Sequence, residues 1–354
     1  MTVRWGLLGA TAIAERAVLA PGGSVPGFAA HAVAAGDPAR ARAFAERHGL
    51  PVVHRDYAAL IEDPDVDAVY LSLHNSAHAR WALHAVARGK HALVEKPLCL
   101  TAQEASAIGD AAASTGARVL EAVPTAGHPW QAAVRQLRQD GGLGSLTAVR
   151  TEIRFRVPPE GNYRGRRDLG GGIFRDAASY WLQAVQATAG LDAVAWCGGS
   201  RFDGPDGTDT EFTAELTLSD GTTATLDCAF DSSGRGPRME HRFVFEEAEA
   251  RVRGVLLPLA AAVPLNLGVR RRTGGTEVTA LPAVRYYDHQ LLRAQRLFAL
   301  AGGAGRLGHA QPWDADMTAT AQRIALMESI HLTAVARAAA AAPPKGSADD
   351  RAQL

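Results

Sequence analysis

Hydrophobic and polar positions fall into two regimes along the chain. Through residue 123, short apolar runs alternate with stretches of helical period. Residues 3–9 form an apolar run closed by Gly9, and a helical stretch follows to about Ala20. Residues 31–35 are a second run. Residues 37–48 read as a helix, with Asp37 as its cap, Pro38 in its first turn and Ala and Phe on one face. A short helix at 57–62, a buried-strand pattern at 68–73 and a helix at 76–88 closed by Gly89 follow. Residues 91–95 are the next strand. Residues 101–115 are a helix opening on Thr101 and Glu104, the spacing of a capping box. Residues 118–123 are a further strand. Alternating strands and helices imply βαβ units, and right-handed crossovers make them a doubly wound parallel sheet.

The pattern changes after Pro124. A helix at 128–140 precedes long strand-like runs at 146–157, 193–202, 211–218, 222–230, 241–255 and 265–272. Asp220–Gly221 is a hairpin turn between two of them. Helices at 287–301 and 315–339 follow, and a polar, Pro-containing end at 341–354 is expected to be disordered. The expected organisation is an α/β domain over 1–123, an α+β domain with a large, open, mostly antiparallel sheet over 124–340, and the tail. A length of 354 residues suits two domains.

Charge narrows the partners. Lys plus Arg equals Asp plus Glu, 37 each. No basic field is available to hold nucleic acid or an anionic membrane. Three cysteines, Cys99, Cys197 and Cys228, show neither a disulfide framework nor zinc spacing, so no metal is expected and a reducing cytosol fits. The apolar start is too short for a signal peptide, and no run of about 18 apolar residues marks a membrane span. The expected location is cytoplasmic.

Candidate chemistry sits at the strand ends. Trp5-Gly-Leu-Leu-Gly9-Ala-Thr-Ala-Ile-Ala14 follows a strand and opens a helix, the context of a dinucleotide fingerprint. Gly9 permits the tight turn, Ala14 close helix packing, and the free N–H groups of the helix start attract a pyrophosphate. Thr11 replaces the middle glycine, so its side chain must turn from the phosphates or bond to them. Asp37 is late for a ribose contact and also suits a helix cap. Arg40 and Arg42 can reach a 2′-phosphate, which leaves NAD and NADP open. Val94-Glu95-Lys96-Pro97 ends a parallel strand, where ligands of such sheets sit. A lysine there can direct charge at a substrate oxygen. Further on, Gly170-Gly-Gly-Ile-Phe-Arg-Asp176-Ala-Ala-Ser-Tyr180 places Asp176 and Tyr180 four residues apart, on one helix face. A phenol titrates near pH 10, and Lys96 nearby would favour the phenolate. The plain alternative pairs Asp176 with an arginine and packs Tyr180 in the core.

These stretches resemble the glucose–fructose oxidoreductase / inositol dehydrogenase / rhizopine-catabolism (Gfo/Idh/MocA) family. The likeness rests on Trp5–Ala14, Asp65–Tyr70, Asn75-Ser-Ala-His78, Ala87-Arg-Gly-Lys-His-Ala-Leu-Val-Glu-Lys-Pro97, Glu121-Ala122, His128-Pro129 and Leu169–Asp176. It implies a Rossmann domain, a second domain whose sheet mediates a homodimer or homotetramer, and hydride transfer between NAD(P) and a sugar, cyclitol or related small molecule. It implies that Lys96 lies at the catalytic centre, with Tyr180 as general acid/base and Asp176 beside them. Glu95 would lie at the nicotinamide ribose. Leu73, His74, Asn75 and His78 would flank the cofactor, together with Gly9, Thr11, Ala12, Ile13 and Asp37. Thr125 and Arg164 join Lys96, Asp176 and Tyr180 as expected substrate contacts. Asn162, Tyr163 and Arg167 are further candidates. Tyr286, Tyr287 and His289 either reach the site or begin an amphipathic helix. The segment Val123-Pro-Thr-Ala-Gly127 departs from the family's aromatic–arginine pair, so the substrate pocket is reshaped there. The fold is also used by dinucleotide-binding sensors without turnover and by hydrolases that use NAD transiently, and imine reduction stays open.

Overall fold

A computed structural model describes residues 2–204, 207–259, 261–301 and 312–341. The first part runs β1 (Val3–Leu8), α1 (Ala12–Ala14), a π-helical turn (Glu15–Leu19), α2 (Ala20–Gly22), β2 (Phe28–Ala34), α3 (Pro38–His48), β3 (Val52–Val53) and α4 (Tyr57–Glu62). It continues with β4 (Ala68–Leu71), α5 (Asn75–Ala87), β5 (His91–Glu95), α6 (Ala102–Thr115) and β6 (Val119–Ala122). The strands make one sheet in the order β3-β2-β1-β4-β5-β6, every pair parallel. Helices cover both faces of such a sheet, which is why Ala-Val-Tyr-Leu of β4 is buried throughout. Strand order reverses between β1 and β4, and the crevice outside those carboxyl ends is where a ligand fits. Local chemistry sets the helix ends. Asp37 caps α3 through Ala39 N at 2.9 Å, and Thr101 and Glu104 form the expected capping box on α6.

The second part runs α7 (Pro129–Asp140), β7 (Leu146–Arg156), α8 (Ile173–Thr188), β8 (Val194–Asp203), β9 (Asp209–Leu218), β10 (Thr223–Asp231), β11 (Arg238–Phe245), β12 (Ala248–Arg253), β13 (Asn266–Arg271), β14 (Thr276–Ala280), α9 (Tyr286–Ala301) and α10 (Pro312–Ala341). Its eight strands form a sheet ordered β14-β13-β12-β11-β7-β10-β9-β8, antiparallel except for the parallel pair β7–β10. β11 alternates buried and half-buried positions along its length, so one sheet face packs and the other is open.

One local expectation needs correction, and two strands went unread. The run at 241–255 is two strands, β11 and β12, folded back at Glu246–Glu247; no glycine or proline marks that turn. β3, unread, has two residues, too few for a visible period. β14, also unread, reads Thr-Glu-Val-Thr-Ala and is exposed throughout, so it shows no apolar face. The tail expected from 341 lies, beyond Ala341, outside the described residues.

Two hydrophobic clusters fill the molecule. The larger runs from one face of the parallel sheet (Leu71, Val94, Leu98) through α8 (Phe174, Trp181) to β9 and β11 (Phe212, Phe243). The smaller lies on the other face around Trp5, Leu7 and Tyr70, and it takes Tyr287, Leu291 and Phe298 from α9. The second half therefore reaches back onto the first, and the crevice sits between them.

Candidate active site

At the nucleotide end, Gly9 has φ +111°, and a Cβ there would lie 2.8 Å from Ser72 O. Only glycine fits this turn. Thr11 resolves the question its side chain raised: Oγ1 donates to Ser72 Oγ at 2.8 Å and accepts from Ala14 N at 3.1 Å. The hydroxyl turns into its own helix start. The N–H groups of Ala12 and Ile13 have no partner among the described residues. Asn75 Nδ2 donates to Gly170 O at 2.8 Å, while its Oδ1 is buried without a partner. A glycine cradle, free N–H groups at a helix start and an orphaned buried acceptor at the end of β4 fit a dinucleotide.

The centre of the crevice is built on β5 and α8. Lys96 follows β5, and its Nζ donates to the Asp176 carboxylate and, at 2.8 Å, to the Asp176 carbonyl. Arg164 Nε donates to the other carboxylate oxygen at 2.9 Å. All this is deeply placed: Lys96 is 8% exposed and Asp176 6%. Burial alone would raise the Asp176 pKa, but Lys96 and Arg164 outweigh it and hold the carboxyl below its usual range. One turn on, Tyr180 shares that face. Lys96 Nζ stands 5.3 Å over its ring, and Phe155 packs edge-on against it. The Tyr180 hydroxyl makes no hydrogen bond among the described residues. Beside Lys96, Glu95 Oε1 accepts from Tyr70 OH at 2.5 Å. Burial raises the Glu95 pKa against the opposing pull of Tyr70 and Lys96.

The electrostatics correct one expectation. Lys96 does not draw Tyr180 toward phenolate. Burial pushes the phenol well above 10, and Tyr287, Glu95 and Asp176 add to that. The charge of Lys96 is absorbed by Asp176. Tyr180 is a neutral phenol, a proton donor.

The remaining expected residues divide. Arg164 is brought to Asp176, with Tyr163 under its guanidinium at 4.9 Å. Asn162 caps the short turn that carries it. His74, half-buried, stands at the N-terminal cap position of α5 without a side-chain bond to the helix backbone, and its Nδ1 lies 3.0 Å from Ser76 Oγ. His78 is corrected: it is 0% exposed, with Nδ1 2.8 Å from Pro97 O and Nε2 3.1 Å from Leu73 O. Burial lowers its pKa. It braces the turns around the crevice through those two carbonyls. Thr125, expected at the substrate, is buried in the wall at 1% exposure, its carbonyl accepting from Gln131 Nε2. Asp37 is exposed and caps α3, and Arg40 is exposed beside it.

Some contributors escaped the sequence reading. Tyr70 sits in an all-buried strand, where its hydroxyl looked like core. Glu121 accepts from Ser179 Oγ and from Arg323 Nη2, both at 2.7 Å, and so ties β6 to α8 and α10. The signals were a carboxylate near the end of an apolar strand and the Glu121-Ala122 match, neither of which names its partners. Tyr287 lies in the first turn of α9 and packs in the smaller core cluster.

Comparison with known proteins adds to this geometry. Residues 3–123 match the description "Oxidoreductase family, NAD-binding Rossmann fold", and residues 131–248 match "GFO/IDH/MocA C-terminal domain". The chain is 33% identical over 230 residues to D-xylose 1-dehydrogenase (NADP(+)) 2 of Haloferax volcanii, covering 64% of this chain and 70% of that protein. It is 35% identical over 199 residues to dTDP-3,4-didehydro-2,6-dideoxy-alpha-D-glucose 3-reductase of Streptomyces antibioticus, covering 54% and 58%. A solved structure of a 3-ketoreductase from Actinomadura kijaniata in complex with NADP aligns with TM-score 0.79 and 26% identity, over 94% of this chain and 98% of that one.

Proposed function

The chain belongs to the GFO/IDH/MocA family of NAD-binding oxidoreductases, and from that premise we propose that it oxidises or reduces a sugar at one carbon, with Tyr180 handling the proton and Lys96 orienting the oxygen. The observation that carries this reading is the buried Lys96–Asp176–Arg164 constellation beside a neutral Tyr180 phenol, at the carboxyl end of β5.

The glycine turn, Thr11, the N–H groups of Ala12 and Ile13, Asn75, Glu95 and Lys96 are the residues that would hold the dinucleotide. Bound nicotinamide supplies or accepts the hydride. The chain's part is position and proton. Asp176 and Arg164 fix the Lys96 ammonium, which has three donors and spends two on Asp176. The third polarises the substrate oxygen. Tyr180 gives its proton to that oxygen in reduction and takes it back in oxidation. The buried surroundings strengthen each of these interactions.

A sugar is the substrate class because the matched relatives are named for xylose and for a deoxyhexose carried on dTDP. Glu240 with Arg242, Arg251 and Arg253, and Arg154 with Asp227, lay complementary charge over the second sheet. That supports association through this face into a homo-oligomer, which light scattering tests: a monomer at micromolar concentration overturns it.

The decisive experiment follows the nicotinamide absorbance band with NADPH and with NADH, on adding aldoses, 3-ketosugars and nucleotide-linked sugars. Sugar-dependent change in that band is the expected result and names the cofactor. Cofactor binding with no change for any sugar points to a sensor and sinks the proposal.

A further inference from the structure

Three segments of the first half converge beside its β3 edge. His31 belongs to β2. Trp5 of β1 pairs with Ala30 and Gly6 with Ala32, so His31 is the extra residue of a β-bulge. Bulges are rare between parallel strands, and they re-aim a side chain. His54 directly follows β3, and Asp63 ends α4. His54 Nε2 lies 2.8 Å from Asp63 Oδ2, and His31 Nε2 lies 4.0 Å from the same oxygen. All three residues are half-buried. Asp65, two positions on, brings a second carboxylate: donor atoms of His31, Asp63 and Asp65 all lie within 4.8 Å of one another.

The nearby cations are engaged elsewhere. Arg4 pairs with Asp65 Oδ1 at 2.5 Å and with Asp67 at 3.1 Å. Lys90 Nζ donates to the carbonyls of Asp63 and Val66, both at 2.7 Å, and so fixes the backbone of the loop. Asp63 Oδ1 accepts from Asp65 N at 2.7 Å, which turns Oδ2 to the imidazoles. Among the described residues no lysine or arginine pairs with the Asp63 carboxylate, and the His31 ring makes no hydrogen bond.

A bulge thus aims an imidazole at a carboxylate oxygen that a first imidazole already bonds, and leaves it too far for a hydrogen bond of its own. A four-coordinate cation accounts for both rings. Zinc bonds to imidazole nitrogen and carboxylate oxygen at 2.0–2.2 Å, which sets neighbouring donors of a tetrahedron about 3.4 Å apart. The observed 2.8 and 4.0 Å lie on either side of that spacing. Side-chain shifts of roughly 0.6 Å bring both to it. Mixed nitrogen and oxygen donors favour the zinc class over magnesium or calcium, which take oxygen alone.

We propose that His31, His54 and Asp63, with Asp65 in reach, bind one divalent cation of the zinc class. Its role is structural: it ties the end of α4 and the loop into β4 to β2 and β3. β2 lies three strands from β5, which leads to Lys96, so the site is apart from the catalytic centre. The four donors come from separate segments and include no cysteine, which is why no ligand spacing announces them.

The test uses the full chain, stripped with EDTA and desalted. Calorimetric titration with ZnCl2 should show one saturable site per chain, and titration with MgCl2 none. Cobalt(II) in place of zinc should give the intense visible absorption of a four-coordinate ion. His31→Asn should weaken zinc binding about a hundredfold, at least the loss expected for a partner outside the ligand set, and His54→Gln should do likewise. Without zinc, His31→Asn should melt as wild type does, since it gives up no hydrogen bond. Zinc at a hundredfold excess over its Kd should raise the Tm of wild type and leave that of either variant unmoved. NADPH affinity should be the same with and without zinc. Zinc that competes with NADPH places the ion in the crevice and overturns the site, as does the absence of saturable binding or equal binding by both variants.

Discussion

Asp176 is the residue on which the site's charge balance turns, because it faces Lys96 on one oxygen and Arg164 on the other. Replacing Lys96 by Met leaves Asp176 its arginine partner, so the fold should hold while the oriented ammonium is lost. The expected outcome is a kcat lower by about 10²–10³, the scale of one removed preorganised donor, with NADPH affinity by fluorescence nearly unchanged. Near-normal turnover would remove Lys96 from the mechanism. Tyr180→Phe should cost about 10²–10⁴, as for loss of a general acid. Its pH signature is specific. Burial holds the phenol well above 10, so reduction, which consumes a phenol proton, should stay level through neutral pH. Oxidation, which needs the proton accepted, should rise as pH rises. A reduction rate falling between pH 6 and 8 would assign the proton to another group. Much of this was legible beforehand: the four-residue spacing of Asp176 and Tyr180, and a lysine just past a strand end. The direction of the Tyr180 shift was not, since it depends on how completely the fold buries the phenol beside Tyr287, Glu95 and Asp176, and no spacing encodes that.

At the level of elements, β6, α8 and α10 are joined by the buried Glu121, whose side chain is 1% exposed and whose partners are Ser179 and Arg323. Arg323 also reaches Gln186 on α8 and Thr320 on α10. Glu121→Leu alone leaves a buried guanidinium without its charge partner, and such losses cost about 3–5 kcal/mol. Pairing it with Arg323→Met removes both charges and should recover most of that stability. Denaturant melts of the two single variants and the double one measure the coupling, and purely additive losses would mean that the pair is not a unit. The long strands set a pH dependence as well. His241 on β11 stacks on Trp130 with ring centroids 5.0 Å apart and bonds Thr151 Oγ1 at 2.9 Å. Burial lowers its pKa from 6.5 to about 3. The unfolded imidazole therefore takes a proton that the folded one refuses between pH 6.5 and 3. Stability is expected to fall as pH falls through that window. His241→Gln, which can keep the bond to Thr151, should flatten the decline in Tm. A slope unchanged from wild type would exclude His241 as its source. Apart from β3 and β14, the strands were readable from apolar runs, and helix starts from Asp37 and Thr101. The β11–β12 turn was not, because the chain reverses there on two glutamates.

For the whole molecule, the expected boundary after residue 123 meets packing that crosses it. Phe298 of α9 lies 5.4 Å from the Trp5 ring, and Trp5 Nε1 donates to Gln295 at 3.0 Å. Glu328 of α10 accepts from Ala102 N at the start of α6. Such contacts join residues some 290 positions apart, and a local pattern shows only that α9 is amphipathic, not which core receives its apolar face. The larger hydrophobic cluster likewise runs through both sheets without a break. Two halves that share a core, and that exchange a helix, cannot expose one without stripping the other. We therefore expect one cooperative thermal transition, with calorimetric and van't Hoff enthalpies equal and far-UV and tryptophan signals coincident. Cofactor binding, although its residues lie on the first half, should raise the entire transition, by about 2.7 kcal/mol of stability at a hundredfold excess over Kd. A split scan in which NADPH moves only one peak would mean that the halves unfold separately. The crevice would then be held by polar contacts such as Lys96–Asp176, Asn75–Gly170 and Ser76–Asp168, rather than by the shared core behind them.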